Sequence, residues 1–259
     1  MKYNYEIYTC NDGNPTALIV NCNDEKMYID IAEQLYKTKK VDQVAVILDV
    51  NDKRCTFQLV NGEFCGNACL SICSYMYENY KVKDASIINK IFDKKGNVEY
   101  IKIDSKFDGK IGNLLIPKEL FLNDNNSVDN FVKMSGITHL IIPESFGNNN
   151  EEYARKKIKK LEEKNIDLDI LGIVFLEDNK IDPFIWIKRI KLLQHQSSCL
   201  SASIAALEYL QKNNRINEDR IIQPSGEAYI IKFKDNNIDI TGIVRKIETG
   251  IVEVQLNVS

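Results

Sequence analysis

The hydrophobic positions of this chain follow two different periods, and together they predict a mixed α/β protein. Alternating apolar and polar residues predict short strands, for example over 43–50 and 55–60. Apolar residues spaced three or four apart predict helices over 24–37 and 151–164. A further helix, predicted over 67–80, is apolar on nearly every side, as is typical of a helix buried inside a sheet.

The order of these predicted elements repeats along the chain. Each half contains a strand, a helix, two strands, a cysteine-containing turn, an apolar helix and further strands. The polar segment 123–127 between the halves is the best candidate for a boundary. We therefore predict two domains, 1–125 and 126–245. Strands are expected at 183–192, 238–244 and 246–254, and the last of these could complete a sheet in either half.

The composition is that of a globular protein, with 44% hydrophobic and 27% charged residues. Because 34 Lys and Arg residues face 37 Asp and Glu residues, no global basic field favours a nucleic-acid partner. The polar N-terminus does not resemble a secretory signal, and no stretch is apolar enough to span a bilayer. We expect a cytoplasmic protein without a membrane partner. Seven cysteines without a repeating framework indicate free thiols.

Two of these cysteines, Cys65 and Cys199, each stand where a loop turns into an apolar helix. A helix start offers unpaired backbone N–H groups and the positive end of the helix dipole. A cysteine in that position tends toward the thiolate, and an anion can bind beside it. The repetition suggests two thiols that face one site, with two helix starts that could hold one carboxylate.

The motif Glu63–Ala68, paired with Cys199 before a helix of small residues, resembles the cofactor-independent amino-acid racemase and epimerase family that includes diaminopimelate epimerase. Within that family, the chain is most similar to the histidine racemase branch of opine-type metallophore pathways. The resemblance extends over most of the chain, and its other matched positions are Asn14, Gln43, His139 and the segment Gln223–Gly226. It implies two pseudo-symmetric α/β domains, each a mixed, curled β-sheet around a central helix. The active site would lie between the domains, and the segment 246–256 would return to the first one.

The resemblance also implies a reaction, the inversion of Cα in a small polar amino acid, histidine first, without pyridoxal phosphate, another cofactor or a metal. Such an inversion needs an acid and a base on opposite faces of the carbon, together with stabilisation of the developing negative charge. Cys65 and Cys199 are the implied acid–base pair. The implied substrate-binding groups are the backbone N–H groups of Gly66, Asn67, Leu200 and Ser201, which would bind the carboxylate, and the side chains of Asn14 and Gln43, which would hold the amino group or wall the pocket.

The second cysteine motif departs from the family pattern. Members usually have Cys-Gly-Ser-Gly-Thr, whereas Leu200 and Ala202 stand here at the two glycine positions. A left-handed backbone at Leu200 would be strained. The Glu-Arg pair with which diaminopimelate epimerases hold the distal carboxylate is also missing upstream of Cys199. We therefore do not expect diaminopimelate as the substrate.

Other interpretations of these residues remain open. A same-fold isomerase of the phenazine-biosynthesis type, or a non-catalytic relative, would not need both thiols. A thiol-redox or iron–sulfur protein would use Cys65 together with Cys69 and Cys73, although a position within one helix favours core packing for the latter two. His139 is interpreted as a hydrogen-bonded structural residue. A homodimer is compatible with the resemblance, since relatives often dimerise.

Overall fold

The structure is a computed structural model that describes residues 1–92, 96–118, 130–134, 136–164, 166, 168–188, 191–215 and 218–254. The chain divides into two compact units. Unit 1 comprises Met1–Ile116 and the chain from Thr241 onward, and unit 2 comprises Pro117–Ile240. The polar segment 123–127 lies outside the described residues. The predicted domain limits 1–125 and 126–245 therefore stay a prediction.

Unit 1 is a mixed sheet that closes on itself around one helix. Its strand order is β1-β2-β3-β4-β5-β6-β7-β15, and β15 also pairs with β1, so the strands form a ring. The elements are β1 (Lys2–Cys10), β2 (Gly13–Ile19), α1 (Tyr28–Lys39), β3 (Gln43–Val50), β4 (Arg54–Leu59), α2 (Gly66–Tyr80), β5 (Asp84–Phe92), β6 (Val98–Phe107), β7 (Ile111–Pro117) and β15 (Asn237–Glu253), of which β15 begins in unit 2.

The two helices of unit 1 differ in how much of their surface is apolar. The helix α2 packs against β1, β2, β5 and β6, and every residue from Gly66 to Met76 is buried. The helix α1 buries only one face, through residues such as Ile31 and Leu35, in a core shared with β1, β2, β3 and β15. The all-round apolar pattern thus correctly predicted which helix the sheet surrounds.

Unit 2 has the same kind of architecture. Its strand order runs from the first residues of β15 through β14, β13, β11, β10 and β9 to β8, and β12 pairs with β11. The helix α4 packs against β8, β9, β10, β11, β13 and β14. The elements are β8 (Phe131–Met134), β9 (Ile137–Ile142), α3 (Asn150–Glu163), β10 (Ile170–Glu177), β11 (Lys180–Ile187), β12 (Leu192–His195), α4 (Leu200–Lys212), β13 (Arg220–Ile222) and β14 (Ala228–Lys234).

The pairing directions in the two units repeat. In unit 1, β2–β3 and β4–β5 are parallel pairs joined through α1 and α2, and β3–β4 and β5–β6 are antiparallel. In unit 2, β9–β10 and β11–β13 are parallel pairs joined through α3 and α4, and β10–β11 and β13–β14 are antiparallel. Parallel neighbours must be joined by a long crossover connection, and in both units these connections contain helices. Each cysteine motif lies at the start of one of these crossover helices, α2 or α4. The predicted fold class, α/β with a curled mixed sheet around a central helix, is confirmed.

The last strand differs from its prediction. The pattern predicts two strands, 238–244 and 246–254, whereas the structure has one strand of 17 residues, β15. Its pairing with β1 shifts register near Ile7, where Glu248 lies opposite Ile7 and Lys246 lies opposite Tyr8. This bulge leaves Ile247 of β15 without a residue opposite it on β1. The even-numbered positions stay the less exposed ones along the whole strand, but Lys246 and Glu248 occupy two of them beside the exposed Ile247. The apolar alternation of the sequence therefore breaks where the strand continues.

The helices described by the structure also bear on membrane insertion. None of those in the described ranges combines the length and the apolar character needed to cross a membrane.

Candidate active site

The first cysteine is placed by a turn between a strand and a helix. After β4, the N–H of Gly62 donates to the carbonyl of Leu59 at 2.9 Å, and Gly62 takes a positive φ of 79°. Cys65 then has extended backbone angles, with φ −138° and ψ 111°, and α2 begins at Gly66. The N–H of Ala68 donates to the Cys65 sulfur at 3.4 Å. Cys65 is therefore the N-cap of a buried helix, as predicted.

A short series of polar side chains connects Cys65 to two other predicted site residues. The Cys65 thiol donates to Oε1 of Gln43 at 2.8 Å. The same oxygen accepts from the Thr16 hydroxyl at 3.2 Å, and that hydroxyl also lies 3.4 Å from the carbonyl of Asn14. The structure thus brings Cys65, Gln43 and the backbone of Asn14 together at the start of α2. Gly66 and Asn67 form the first turn of that helix and are buried.

The second cysteine has the same backbone conformation in unit 2. Cys199 is extended, with φ −134° and ψ 108°, and α4 begins at Leu200. Its sulfur lies 3.4 Å from the Ser201 hydroxyl. Burial raises the pKa of the Cys199 thiol above its ordinary value, while hydrogen bonds from the Ser201 hydroxyl and from the N–H groups of Ala202 and Ser201 oppose that rise.

Leu200 does not need a left-handed backbone. It is the first residue of the right-handed helix α4, and its side chain is only 2% exposed. The strain considered for this position therefore does not arise, and the leucine contributes to the core instead. Its backbone N–H lies in the first turn of α4, where the helix itself provides no carbonyl acceptor.

Two amide residues that the sequence analysis did not assign to the site hold the cysteine backbones. The N–H of Cys65 donates to Oδ1 of Asn89 at 3.4 Å, and the N–H of Cys199 donates to Oε1 of Gln223 at 2.9 Å. Each amide follows its cysteine by 24 residues. Both are buried, on or directly after the strand that follows the helix. The shared spacing, together with a polar side chain among buried strand positions, is the signal that could have revealed them.

Gln223 makes the more extensive network of the two. Its Nε2 donates to Oγ of Ser203 at 2.9 Å and to the carbonyl of Ile221 at 3.1 Å. The Ser203 hydroxyl in turn donates to the carbonyl of Cys199 at 2.7 Å. The amide therefore ties the strand β13 to the first turn of α4 and fixes the backbone on both sides of the Cys199 sulfur.

The other cysteines of α2 are interior residues. The Cys73 thiol donates to the carbonyl of Cys69 at 3.2 Å, one helical turn away. Burial raises the pKa of Cys73 to about 12 and that of Cys69 well above its ordinary value. Over the described parts of the chain, no group of three or more His, Cys, Asp or Glu side chains is arranged to hold a metal ion. These side chains pack as neutral thiols in the core.

Comparisons with known proteins match nearly the whole chain. A family model described as the histidine racemase CntK N-terminal domain matches residues 7–253. A histidine racemase of Fusobacterium nucleatum is 29% identical over 245 residues, which cover 88% of this chain and 89% of that protein. A histidine racemase of Staphylococcus aureus is 23% identical over 254 residues, covering 92% of this chain and 93% of that protein.

Solved structures with the same fold come from another group of proteins. A protein of the phenazine biosynthesis PhzF family from Enterococcus faecalis superposes with a TM-score of 0.61 at 15% identity, covering 98% of this chain and all of that one. A PhzF-family protein from Bacillus anthracis gives a TM-score of 0.62 at 10% identity, with the same coverage. At this identity the likeness concerns the fold alone. The family match and the matching relatives confirm the resemblance: the chain belongs to the histidine racemase family and is an isomerase of the amino-acid racemase class.

Proposed function

We propose that the protein interconverts L- and D-histidine by a two-thiol mechanism in which Cys65 and Cys199 exchange the Cα proton. The observation that carries this proposal is that both cysteines are N-caps of buried central helices, with the same extended backbone at each. Relatives that cover most of the chain are named histidine racemase, which supports histidine as the substrate.

The chemistry follows from what each helix start provides. One cysteine, as thiolate, takes the Cα proton, and the other, as thiol, returns a proton to the opposite face. Negative charge then develops on the substrate carboxylate and is stabilised by backbone N–H groups that need no reorganisation. Gly66, Asn67, Leu200 and Ser201 supply those groups from the first turns of α2 and α4. The reverse reaction exchanges the protonation states of the two sulfurs.

Gln43 and Asn14 have a supporting role in this proposal. Gln43 accepts from the Cys65 thiol and from Thr16, so it fixes the direction of the Cys65 side chain. Asn14 is buried and is the second residue of β2, with a left-handed backbone of φ 44°. We assign these two residues to the wall around the substrate amino group. The mechanism requires that both sulfurs reach one substrate carbon.

The test is racemisation of L-histidine in deuterated water, followed by mass spectrometry of each separated enantiomer. Thiols exchange protons with solvent, so two-base inversion places deuterium in the early D-histidine while the remaining L-histidine stays largely unlabelled. We expect Cys65→Ser and Cys199→Ser each to lower the rate of racemisation by about 10³-fold. Both variants should lose activity, because neither cysteine alone can remove the Cα proton from one face and return a proton to the other.

Cys22→Ser is the matched control. Cys22 is buried and its thiol donates to the carbonyl of Asp24 at 3.5 Å, a bond that serine can also make, but it does not start a helix. This variant should racemise histidine at the wild-type rate. Retention of more than a tenth of the activity in either Cys65→Ser or Cys199→Ser would contradict the two-thiol mechanism, and a clear preference for another amino acid would contradict the substrate.

A further inference from the structure

A buried histidine lies behind the second cysteine. His139, on β9, is fully buried, and its Nε2 lies 3.1 Å from the hydroxyl oxygen of Ser201. That hydroxyl lies 3.4 Å from the sulfur of Cys199. Three side chains from β9 and from the start of α4 thus form a line that ends at the sulfur, so the histidine can influence Cys199 through the serine.

The position of the ring is fixed by a glycine on the neighbouring strand. Gly172 lies opposite His139 in the parallel pairing of β9 with β10. A Cβ built on Gly172 would stand only 2.0 Å from Nδ1 of His139. The ring therefore occupies space that a side chain at position 172 would need. Nδ1, the ring atom nearest to that position, has no hydrogen-bond partner among the described residues.

The unpartnered Nδ1 determines the tautomer. Burial lowers the pKa of His139 to about 3, so the ring is neutral and carries one proton. A buried N–H without a partner is rarer in proteins than a buried acceptor without one. The proton therefore belongs on Nε2, which donates to the oxygen of Ser201. Because the Ser201 oxygen accepts this hydrogen bond, its own hydrogen does not point at His139 and can be donated to the Cys199 sulfur.

We propose that His139 is a positioning residue that orients the Ser201 hydroxyl as a hydrogen-bond donor to Cys199 and thereby favours the Cys199 thiolate. A donor aimed at a sulfur stabilises its anionic form more than its neutral form. The inference rests on the proposed function only in taking Cys199 as a reactive thiol. It explains how a thiol that burial disfavours as an anion can still release its proton.

Two titratable side chains on the elements around Cys199 have partners of their own. Glu208, further along α4, forms an ion pair with Lys212 at 3.1 Å. Tyr229, on β14, accepts from the Ser198 hydroxyl at 3.0 Å. His139 on β9 is neutral, because burial lowers its pKa to about 3. The Ser201 hydroxyl is therefore the group through which a substitution should alter the acidity of Cys199.

The experiment measures the reactivity of Cys199 without any substrate. The full-length protein is treated with iodoacetamide across a pH series, and alkylation of the Cys199 peptide is quantified by mass spectrometry. Ser201→Ala removes the donor and should raise the midpoint of the pH profile by about one unit, with about tenfold slower alkylation at neutral pH. Ser201→Thr keeps the hydroxyl and should keep the wild-type midpoint. The Cys65 peptide from the same digest is the internal control and should not shift.

A second variant tests the histidine itself. Gly172→Ala leaves Ser201 intact, but the added methyl group displaces the ring of His139, so that Nε2 loses its hydrogen bond to Ser201. The midpoint of the Cys199 alkylation profile should therefore rise, as in Ser201→Ala. An unchanged midpoint in Ser201→Ala would overturn the donor role, and an unchanged midpoint in Gly172→Ala would overturn its orientation by His139. Because alkylation needs no histidine racemisation, failure of the proposed function would leave these outcomes interpretable.

Discussion

Replacing Gln223 by alanine should destabilise the protein more than any exposed polar substitution. The side chain is 3% exposed and makes three hydrogen bonds, to the N–H of Cys199, to Oγ of Ser203 and to the carbonyl of Ile221. Alanine can make none of them. The N–H of Cys199 lies at a helix start, where no helical carbonyl is available to replace the lost acceptor.

The magnitude follows from counting what is lost. Each of the three bonds contributes about 1 kcal/mol net, and leaving the buried Cys199 N–H without an acceptor adds a desolvation cost of about 1 kcal/mol or more. We therefore expect Gln223→Ala to lower the free energy of unfolding by about 3–4 kcal/mol. The loss is large because Gln223 connects β13 to the first turn of α4, and both ends lose a partner together.

Urea unfolding followed by circular dichroism measures this difference directly. Gln211→Ala is the matched control, since Gln211 is an exposed glutamine in the last turn of the same helix. Its substitution should change the stability by about 0.5 kcal/mol at most. If Gln223→Ala costs less than about 1 kcal/mol, the network does not stabilise the start of α4 and the argument from buried hydrogen bonds is wrong.

Two further predictions concern single side chains of unit 2. The hydrogen bond to Asp182, at 2.5 Å, raises the pKa of the half-exposed His195. The pair therefore stabilises the fold fully below the pKa of histidine in the unfolded chain, about 6.5. This stabilisation is lost as the pH rises through the higher pKa of His195 in the folded protein. His195→Gln should lower the melting temperature more at pH 6 than at pH 9, by the equivalent of about 0.5 kcal/mol, and an equal loss at both pH values would refute the pairing. Leu200→Gly, which restores the residue usual in the family, should lower stability in urea by about 2 kcal/mol because it removes a buried side chain, whereas a gain would reveal backbone strain at this position.

The sequence predicts the central helices closely. The helix expected at 67–80 is found at Gly66–Tyr80, and the apolar helix expected after Cys199 is found at Leu200–Lys212. Both helices are rich in apolar residues, and a helix that is hydrophobic on all sides is stable only when other elements cover it on all sides. The order of elements in the two halves is likewise preserved, because each crossover helix requires a parallel strand pair.

One hairpin was not predicted. The pattern suggests a single strand over 183–192, but β11 ends at Ile187 and the chain turns back into β12 at Leu192. Lys191 takes a positive φ of 49° in this turn. The residues between the strands are lysine, arginine and isoleucine. No glycine, proline, asparagine or aspartate marks the reversal, so local turn signals could not reveal it.

The site was predicted in part. Both helix-start cysteines follow from the sequence, because a cysteine before an apolar helix is a local pattern. The contact between Gln43 and Cys65 joins residues 22 positions apart, and it depends on the pairing of strands rather than on local pattern. Asn89 and Gln223 were missed for the same reason, since each acts on a cysteine from the far end of a crossover. The resemblance assigned Gln43 to the site and matched the segment that begins with Gln223, but only the fold shows that Gln223 and Asn89 bind the cysteine backbones.

The closure of unit 1 by its last strand has a consequence for how the protein is made. The strand β15 pairs with β1 and β7, so the ring lacks a member until residues near the C-terminus have been synthesised. A ribosome synthesises β1 and β7 before β15, and their strand edges stay unpaired while the 119 residues between β7 and β15 are translated. We expect nascent chains stalled before β15 to expose these edges to chaperones and proteases, and the earliest-made part of the protein to complete its folding last.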